Sequence, residues 1–265
     1  MSKIKFQRKY LSIPYVLFLI FFVIVPLFLI IYYALSGEDG SLSLKNFVSF
    51  FTNKNKVGLL SISIIIGALN TLLCLLIGYP LAMLLASKNY NRNKTIILLF
   101  IMPMWINFVL RTAATRDLLY FLGFEAGNHP YLSTMIGMVY NYLPFTILPL
   151  YSTMQKMDKN LIEASYDLGA NKVTTFFKTI IPMTMPGIVS ASLMVFMPTM
   201  SSFVISDVMG ERKIQLIGNT IQFNFDQMRW HEGSFIAFIM LVIIAISILL
   251  TRNVKKEENV RGGLW

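Results

Sequence analysis

The stretch VGLLSISIIIGALNTLLCLLIGYPLAMLLAS, residues 57–87, contains no Asp, Glu, Lys or Arg. Crossing the roughly 30 Å hydrocarbon core of a bilayer takes about 20 predominantly apolar helical residues, and this run exceeds that length. It is far longer than the roughly 9 to 11 residues of a membrane barrel strand and does not alternate apolar with polar, so a helix is expected. Outward from it, uncharged stretches recur at residues 10–37, 95–110, 130–155, 179–206 and 233–251. The expectation is an all-α membrane protein with six transmembrane helices. Composition agrees: 55% of the 265 residues are hydrophobic and 14% are charged, where a soluble domain carries about a quarter charged residues.

The third run is the shortest. Its helix would cover only about 24 Å at 1.5 Å per residue, so it is expected to continue past Arg111 through Thr112, Ala113, Ala114 and Thr115, with Arg111 snorkelling to the interface or facing a wet interior. The first run follows Lys3, Lys5, Arg8 and Lys9 but is too long for a signal peptide and shows no small-residue cleavage site before Ser36 and Gly37, so it reads as a retained helix.

The net charge of +10 fits membrane topology better than a nucleic-acid partner, because the charges lie between and beyond the apolar runs. Lys and Arg number four, three, four and four in the N-terminal tail, the 88–94 loop, the 156–178 loop and the C-terminal tail, against three, two and three in the alternate loops. The positive-inside rule therefore places both termini, and the 156–178 loop, in the cytoplasm.

Gly67, Thr71, Cys74 and Gly78 share one face of the second helix, a pattern that suits close packing within the chain or a subunit interface. Pro26, Pro80, Pro103, Pro144, Pro149 and Pro198 lie at membrane depth, where each removes a helix hydrogen bond. There is no Walker-type glycine loop, no Gly-x-Ser-x-Gly elbow and no Cys/His cluster with metal spacing; the two histidines are His129 and His231. No catalytic residue, cofactor or metal is expected, and the chain does not read as an enzyme.

Residues 161–182 are different in kind. Leu161-Ile162-Glu163-Ala164-Ser165-Tyr166-Asp167-Leu168-Gly169-Ala170 predicts a short helix broken at Gly169, and Phe176-Phe177-Lys178-Thr179-Ile180-Ile181-Pro182 a second helical piece ending before Pro182. Leu161, Ile162, Ser165 and Leu168 make one apolar side. Such a helix would dock in a groove on a partner or lie on the lipid surface.

The segment resembles the cytoplasmic loop signature of ABC importer permeases: Glu-Ala-Ala, a glycine six residues after the Glu, then a hydrophobic-x-hydrophobic-Pro ending. Glu163, Ala164, Gly169, Ile181 and Pro182 match in register. Ser165 stands for the second alanine, and Thr179 stands where isoleucine is usual. The resemblance implies a type I permease bundle in the bacterial cell membrane, whose loop (Glu163, Ala164, Ser165, Asp167, Gly169, Ile181, Pro182) forms a coupling helix seated on a cytoplasmic ATPase dimer. It also implies a second homologous permease and an external binding protein, with lipid around the bundle and no nucleic acid. The implied division is a tail 1–9, a first helix 10–34, a permease core 58–251 containing the loop 156–182, and a tail 252–265.

Further stretches resemble the first, B-type, permease of spermidine/putrescine importers: Pro103-Met104-Trp105-Ile106-Asn107 with Arg111-Thr112, Asn141-Tyr142-Leu143-Pro144-Phe145, Ser206-Asp207-Val208-Met209-Gly210 and Leu216-Ile217-Gly218-Asn219. The stretch 116–130 departs from that pattern. A polyamine pathway calls for carboxylates and aromatic faces; the candidates are Asp207, Asp117, Trp105 and Tyr140. Tyr142, two residues from Tyr140, cannot face the same lumen. The competing readings are a permease for sulfate, molybdate, iron or phosphonate, which Arg111 keeps open, and an ion-gradient transporter, for which no inverted repeat is seen.

Overall fold

A computed structural model describes residues 12–37, 39–87 and 95–262, with side chains to residue 251. The expected tail 1–9, the first residues of the first helix and the 88–94 loop lie outside the described residues. In chain order the helices are α1 (Ile13–Leu35), α2 (Lys45–Thr52), α3 (Lys54–Ala86), α4 (Thr95–Trp105), α5 (Phe108–Phe121), α6 (Pro130–Gln155), α7 (Lys159–Asp167), α8 (Lys172–Ser201), α9 (Val204–Met209), α10 (Ile217–Asp226) and α11 (Trp230–Gly262). Among the described residues the sole β feature is a bridge between Ser36 and Leu42.

The described residues fall in two compact units, one within Met1–Val57 and Thr220–Ile243, the other within Gly58–Asn219 and Ile244–Trp265. In the first, Phe50 and Phe235 are buried with ring centres 5.8 Å apart. Asn46 Nδ2 donates to the Ala34 and Ser36 carbonyls at 3.3 and 3.1 Å, tying α2 to the end of α1, and Lys56 pairs with Glu232 at 3.1 Å. The span α1 exposes Phe18, Phe21, Phe22 and Phe28, the all-round apolar surface of a helix immersed in lipid.

The second unit is organised by α6, whose buried positions Thr134, Met138, Asn141, Ile147, Leu150 and Met154 recur at helical spacing. One apolar cluster joins Ile66 and Cys74 of α3, Met138 and Tyr142 of α6, Val195 of α8, and Ile205 and Met209 of α9. Another joins Ala82 and Leu85 of α3, Ile97 of α4, Ile147 and Leu150 of α6, and Ala191 of α8. The small-residue stripe on α3 packs inside this unit: a Cβ added at Gly67 would lie 2.9 Å from Met200, and one at Gly78 would lie 2.8 Å from Thr146.

Two local expectations are corrected. The third run is not one helix: α4 ends in a 3₁₀ turn over Met102–Trp105, and α5 sets off at 100° to it. Pro103 weakens the first piece, and Asn107 caps the second by accepting from the Val109 and Leu110 amides at 2.9 and 3.3 Å. Arg111 through Thr115 are helical as expected, but beyond that break. Nor does the helix after the loop end before Pro182. It passes through the proline into α8, with a π turn over Phe176–Ile180 just ahead, a widened turn that accommodates the missing N–H and the ring.

By length and apolarity α1, α3, α8 and the Trp230–Thr251 part of α11 can each cross a membrane, and the α4/α5 pair makes a fifth if taken as one bent span. The 26-residue α6 would cover about 39 Å. Its Ser133, Thr134, Asn141 and Thr146 lower its hydropathy, but all four side chains are buried inside the unit.

Candidate functional site

Between α6 and α8 the chain makes a compact three-part loop from locally encoded signals. Asp158 caps α7 by accepting from the Asn160 amide at 2.9 Å. At the other end Gly169 takes φ +81°, the left-handed conformation that lets a helix close on its own carbonyls; its amide donates to Tyr166 O at 2.8 Å and that of Ala170 to Ser165 O at 3.1 Å. Asn171 then caps the next helix through the Thr174 amide at 2.8 Å.

The sides of α7 are unequal. Ile162 and Ser165 are half-buried, and the Ser165 hydroxyl meets Thr175 and Thr179 of α8. Leu161, Tyr166, Leu168 and, at the start of α8, Val173 stand exposed, Leu168 to 89%. Glu163, Ala164 and Asp167 are exposed as well, Ile181 is half-buried and Pro182 exposed. The apolar side expected of this helix is therefore divided: two of its four residues pack, and Leu161 and Leu168 are left without cover in the chain, an apolar rim that a partner groove would fill.

The four candidate pathway residues do not converge: Asp207, Asp117 and Tyr140 each engage a different neighbour, and Trp105 stands exposed. Asp207, in the first turn of α9, is half-buried and accepts from Asn219 Nδ2 at 2.6 Å. The Asn219 amide is itself oriented, its Oδ1 accepting from the Leu216 amide at 2.8 Å and from the Ser206 hydroxyl at 3.0 Å. Burial pushes the Asp207 carboxyl above its ordinary value, while Arg212 and the Asn219 hydrogen bond pull it back. Asp117 is held by its own neighbour, Arg116, at 2.9 Å, an exposed pair of little energetic weight. Trp105, at the α4/α5 break, is exposed, and Tyr140 is half-exposed under the Arg111 guanidinium, 5.7 Å from its ring centre. Tyr142 points inward, donating to Pro198 O at 3.2 Å.

Arg111 neither snorkels nor opens to water. It is 6% exposed. Its Nε donates to Asn141 Oδ1 at 2.8 Å, one terminal nitrogen to Pro103 O at 2.8 Å and the other to Asn141 O at 3.4 Å. The guanidinium thus ties α5 both to the end of α4 and to α6, and all three of its nitrogens donate to protein. It is a clamp on the bent pair.

Residues 6–256 match the family described as binding-protein-dependent transport system inner membrane component. The chain belongs to that family. Its relatives include the spermidine/putrescine transport system permease protein PotB of Haemophilus influenzae, 33% identical across 96% of each chain, and that of Escherichia coli, 34% identical across 88% of this chain and 92% of that one. The fold is also that of a chain in the bacterial alginate ABC transporter solved in complex with alginate pentasaccharide-bound periplasmic protein, with a TM-score of 0.67, 13% identity and 94% of each chain covered. This permease is accordingly a multi-pass protein of the inner membrane. Several residues that organise it were given no role of their own from the sequence: Asn141, which receives Arg111; Asn219, which holds Asp207; and Asn70, which donates to Thr199 at 2.7 Å within the core. The available signal was an amide side chain inside an apolar run, which has to find a partner there.

Proposed function

We propose that this permease forms half of a translocation pathway for polyamines of the spermidine/putrescine kind, with a second homologous permease as the other half. A binding protein delivers the substrate from outside, and a cytoplasmic dimer of ABC ATPases, gripping α7, drives the cycle. The observation that carries this reading is α7 itself: a short capped helix between two long ones, with an apolar rim exposed and Glu163 and Asp167 beside it. In this reading Glu163 supplies a polar contact to the ATPase, Gly169 the turn, and Ala164, Asp167, Ile181 and Pro182 complete the seat and its attachment. The permease core 58–251 carries the pathway, α6 counts as the fourth of six spans because its polar side chains are turned into protein rather than lipid, and the termini lie in the cytoplasm. The subunit itself performs no catalysis. Switching a pathway fully between two states needs about 5.5 kcal/mol of differential binding, which ATP supplies through this handle.

The polyamine relatives support the substrate class, and so does Arg111, since a buried cation whose three nitrogens each donate to a protein oxygen is a poor receptor for sulfate or another anion. Asp207 is the carboxylate assigned to the substrate's ammonium groups, with Asp117, Trp105 and Tyr140 as lesser candidates. Asp207→Asn, reconstituted with its partner subunits, is expected to lower labelled spermidine uptake about tenfold or more, the scale of one charge-assisted contact, with assembly intact. The wild-type uptake should also carry an acid limb: as pH falls through the raised value of Asp207 the carboxylate gains a proton and its charge is lost, so the limb lies above the range of an ordinary aspartate and is absent in Asp207→Asn. Unchanged spermidine uptake in that variant removes Asp207 from the pathway. Uptake of sulfate instead of spermidine, or transport that survives ATP depletion and follows an ion gradient, overturns the function.

A further inference from the structure

The two loop positions where this chain departs from the permease signature, Ser165 and Thr179, touch one another. The Thr179 hydroxyl donates to Ser165 Oγ at 3.4 Å, and Ser165 Oγ lies 3.1 Å from Thr175 Oγ1. Thr175 and Thr179 are one helical turn apart on the first turns of α8, so both reach the same point on α7. Thr175 is fully buried, and among the described residues the Ser165 hydroxyl is its side-chain partner. The rest of α7 holds to α8 weakly: Ile162 is half-buried, while Leu161, Ala164, Tyr166, Asp167 and Leu168 are exposed. A helix with so little apolar attachment would pivot about Gly169 when pulled.

We propose that Ser165, Thr175 and Thr179 form a hydroxyl clasp that fastens the coupling helix α7 to the foot of the span α8, so that movement imposed on α7 is delivered to α8. The proposal rests on the reading of α7 as the handle of the ATPase. Ser165 is a positioning residue in it: it touches neither substrate nor nucleotide. Removing its hydroxyl orphans the buried Thr175 hydroxyl, whereas replacing both partners with apolar groups of similar shape leaves nothing orphaned. The clasp thus has the same outcome as the Ala and Ile of the signature, reached with polar chemistry, and its members have to be exchanged together.

The test compares a single and a triple variant in the complete reconstituted importer, reading spermidine molecules taken up per ATP hydrolysed. Ser165→Ala alone is expected to lower that ratio three- to tenfold. Ser165→Ala with Thr175→Val and Thr179→Ile is expected to restore at least half of it. A merely structural contribution would lower the amount of assembled importer and leave the ratio per complex unchanged. Gly169→Pro is run beside them. If Gly169→Pro uncouples while Ser165→Ala keeps the wild-type ratio, or while the triple variant is no better than Ser165→Ala, the clasp is overturned and the handle stands. If Gly169→Pro keeps wild-type uptake and substrate-stimulated ATP hydrolysis, the handle reading itself fails.

Discussion

Gly169→Pro is expected to abolish coupled transport while leaving the membrane bundle able to insert. The residue sits at φ +81°, and proline is fixed near −65°. The substitution also deletes the amide that donates to Tyr166 O at 2.8 Å, so α7 cannot close in its present form and its exposed rim is carried elsewhere. The expected result is spermidine uptake below about a hundredth of wild type with substrate-stimulated ATP hydrolysis lost, since a misplacement costing about 3 kcal/mol is already a hundredfold in population. Gly169→Asn is the informative control, because asparagine tolerates the left-handed region. It should keep most of the uptake. No side chain crowds the position, as a Cβ there would meet nothing within 4 Å, so the backbone angle alone separates the two variants. Equal uptake by both would show that the turn does not matter.

Arg111→Met is expected to destabilise the detergent-solubilised permease by about 2 to 4 kcal/mol, the cost of leaving the buried Asn141 Oδ1 and the half-buried Pro103 O without a donor. The lowered melting temperature should come with loss of uptake, because the bent α4/α5 pair is no longer tied to α6. Arg111→Lys keeps the charge but not the planar fork that reaches three acceptors at once. It should therefore behave like Arg111→Met in melting temperature and not rescue uptake. A substrate-binding cation would behave differently: Arg111→Lys would retain part of the transport, and neither variant would change the melting temperature.

The contrast between these two sites shows what could be read from the chain. The loop was legible because its signals are local. Gly169 is a turn residue whose chemistry acts on the backbone next to it, as does that of the caps Asp158 and Asn171, to which the sequence reading gave no role. The long helices were legible for the same reason, since a charge-free run of sufficient length carries its own criterion. The break between α4 and α5 was hidden because absence of charge was the sign of a span, and neither Pro103 nor the capping Asn107 is charged. The role of Arg111 depends on Asn141, thirty residues away, and that of Asp207 on Asn219, twelve residues away. Which partner a buried polar group finds is a property of packing, and spacing does not reveal it. Pro182 misled in the opposite direction: as a helix-breaking residue it marks an end, yet the π turn ahead of it lets the helix pass through.

In the proposed mechanism α7 is exposed inside the cell, where a nucleotide-driven partner can hold it. This placement is tested most directly by side-specific labelling. Cys74 is the single cysteine of the chain and is buried, so Leu168→Cys in a Cys74→Ala background places one reactive thiol at the 89% exposed tip of α7. A membrane-impermeant maleimide should modify it in inside-out vesicles and not in right-side-out vesicles, and adding the ATPase subunit to the inside-out vesicles should slow the reaction. Modification from the outer side alone would contradict the account.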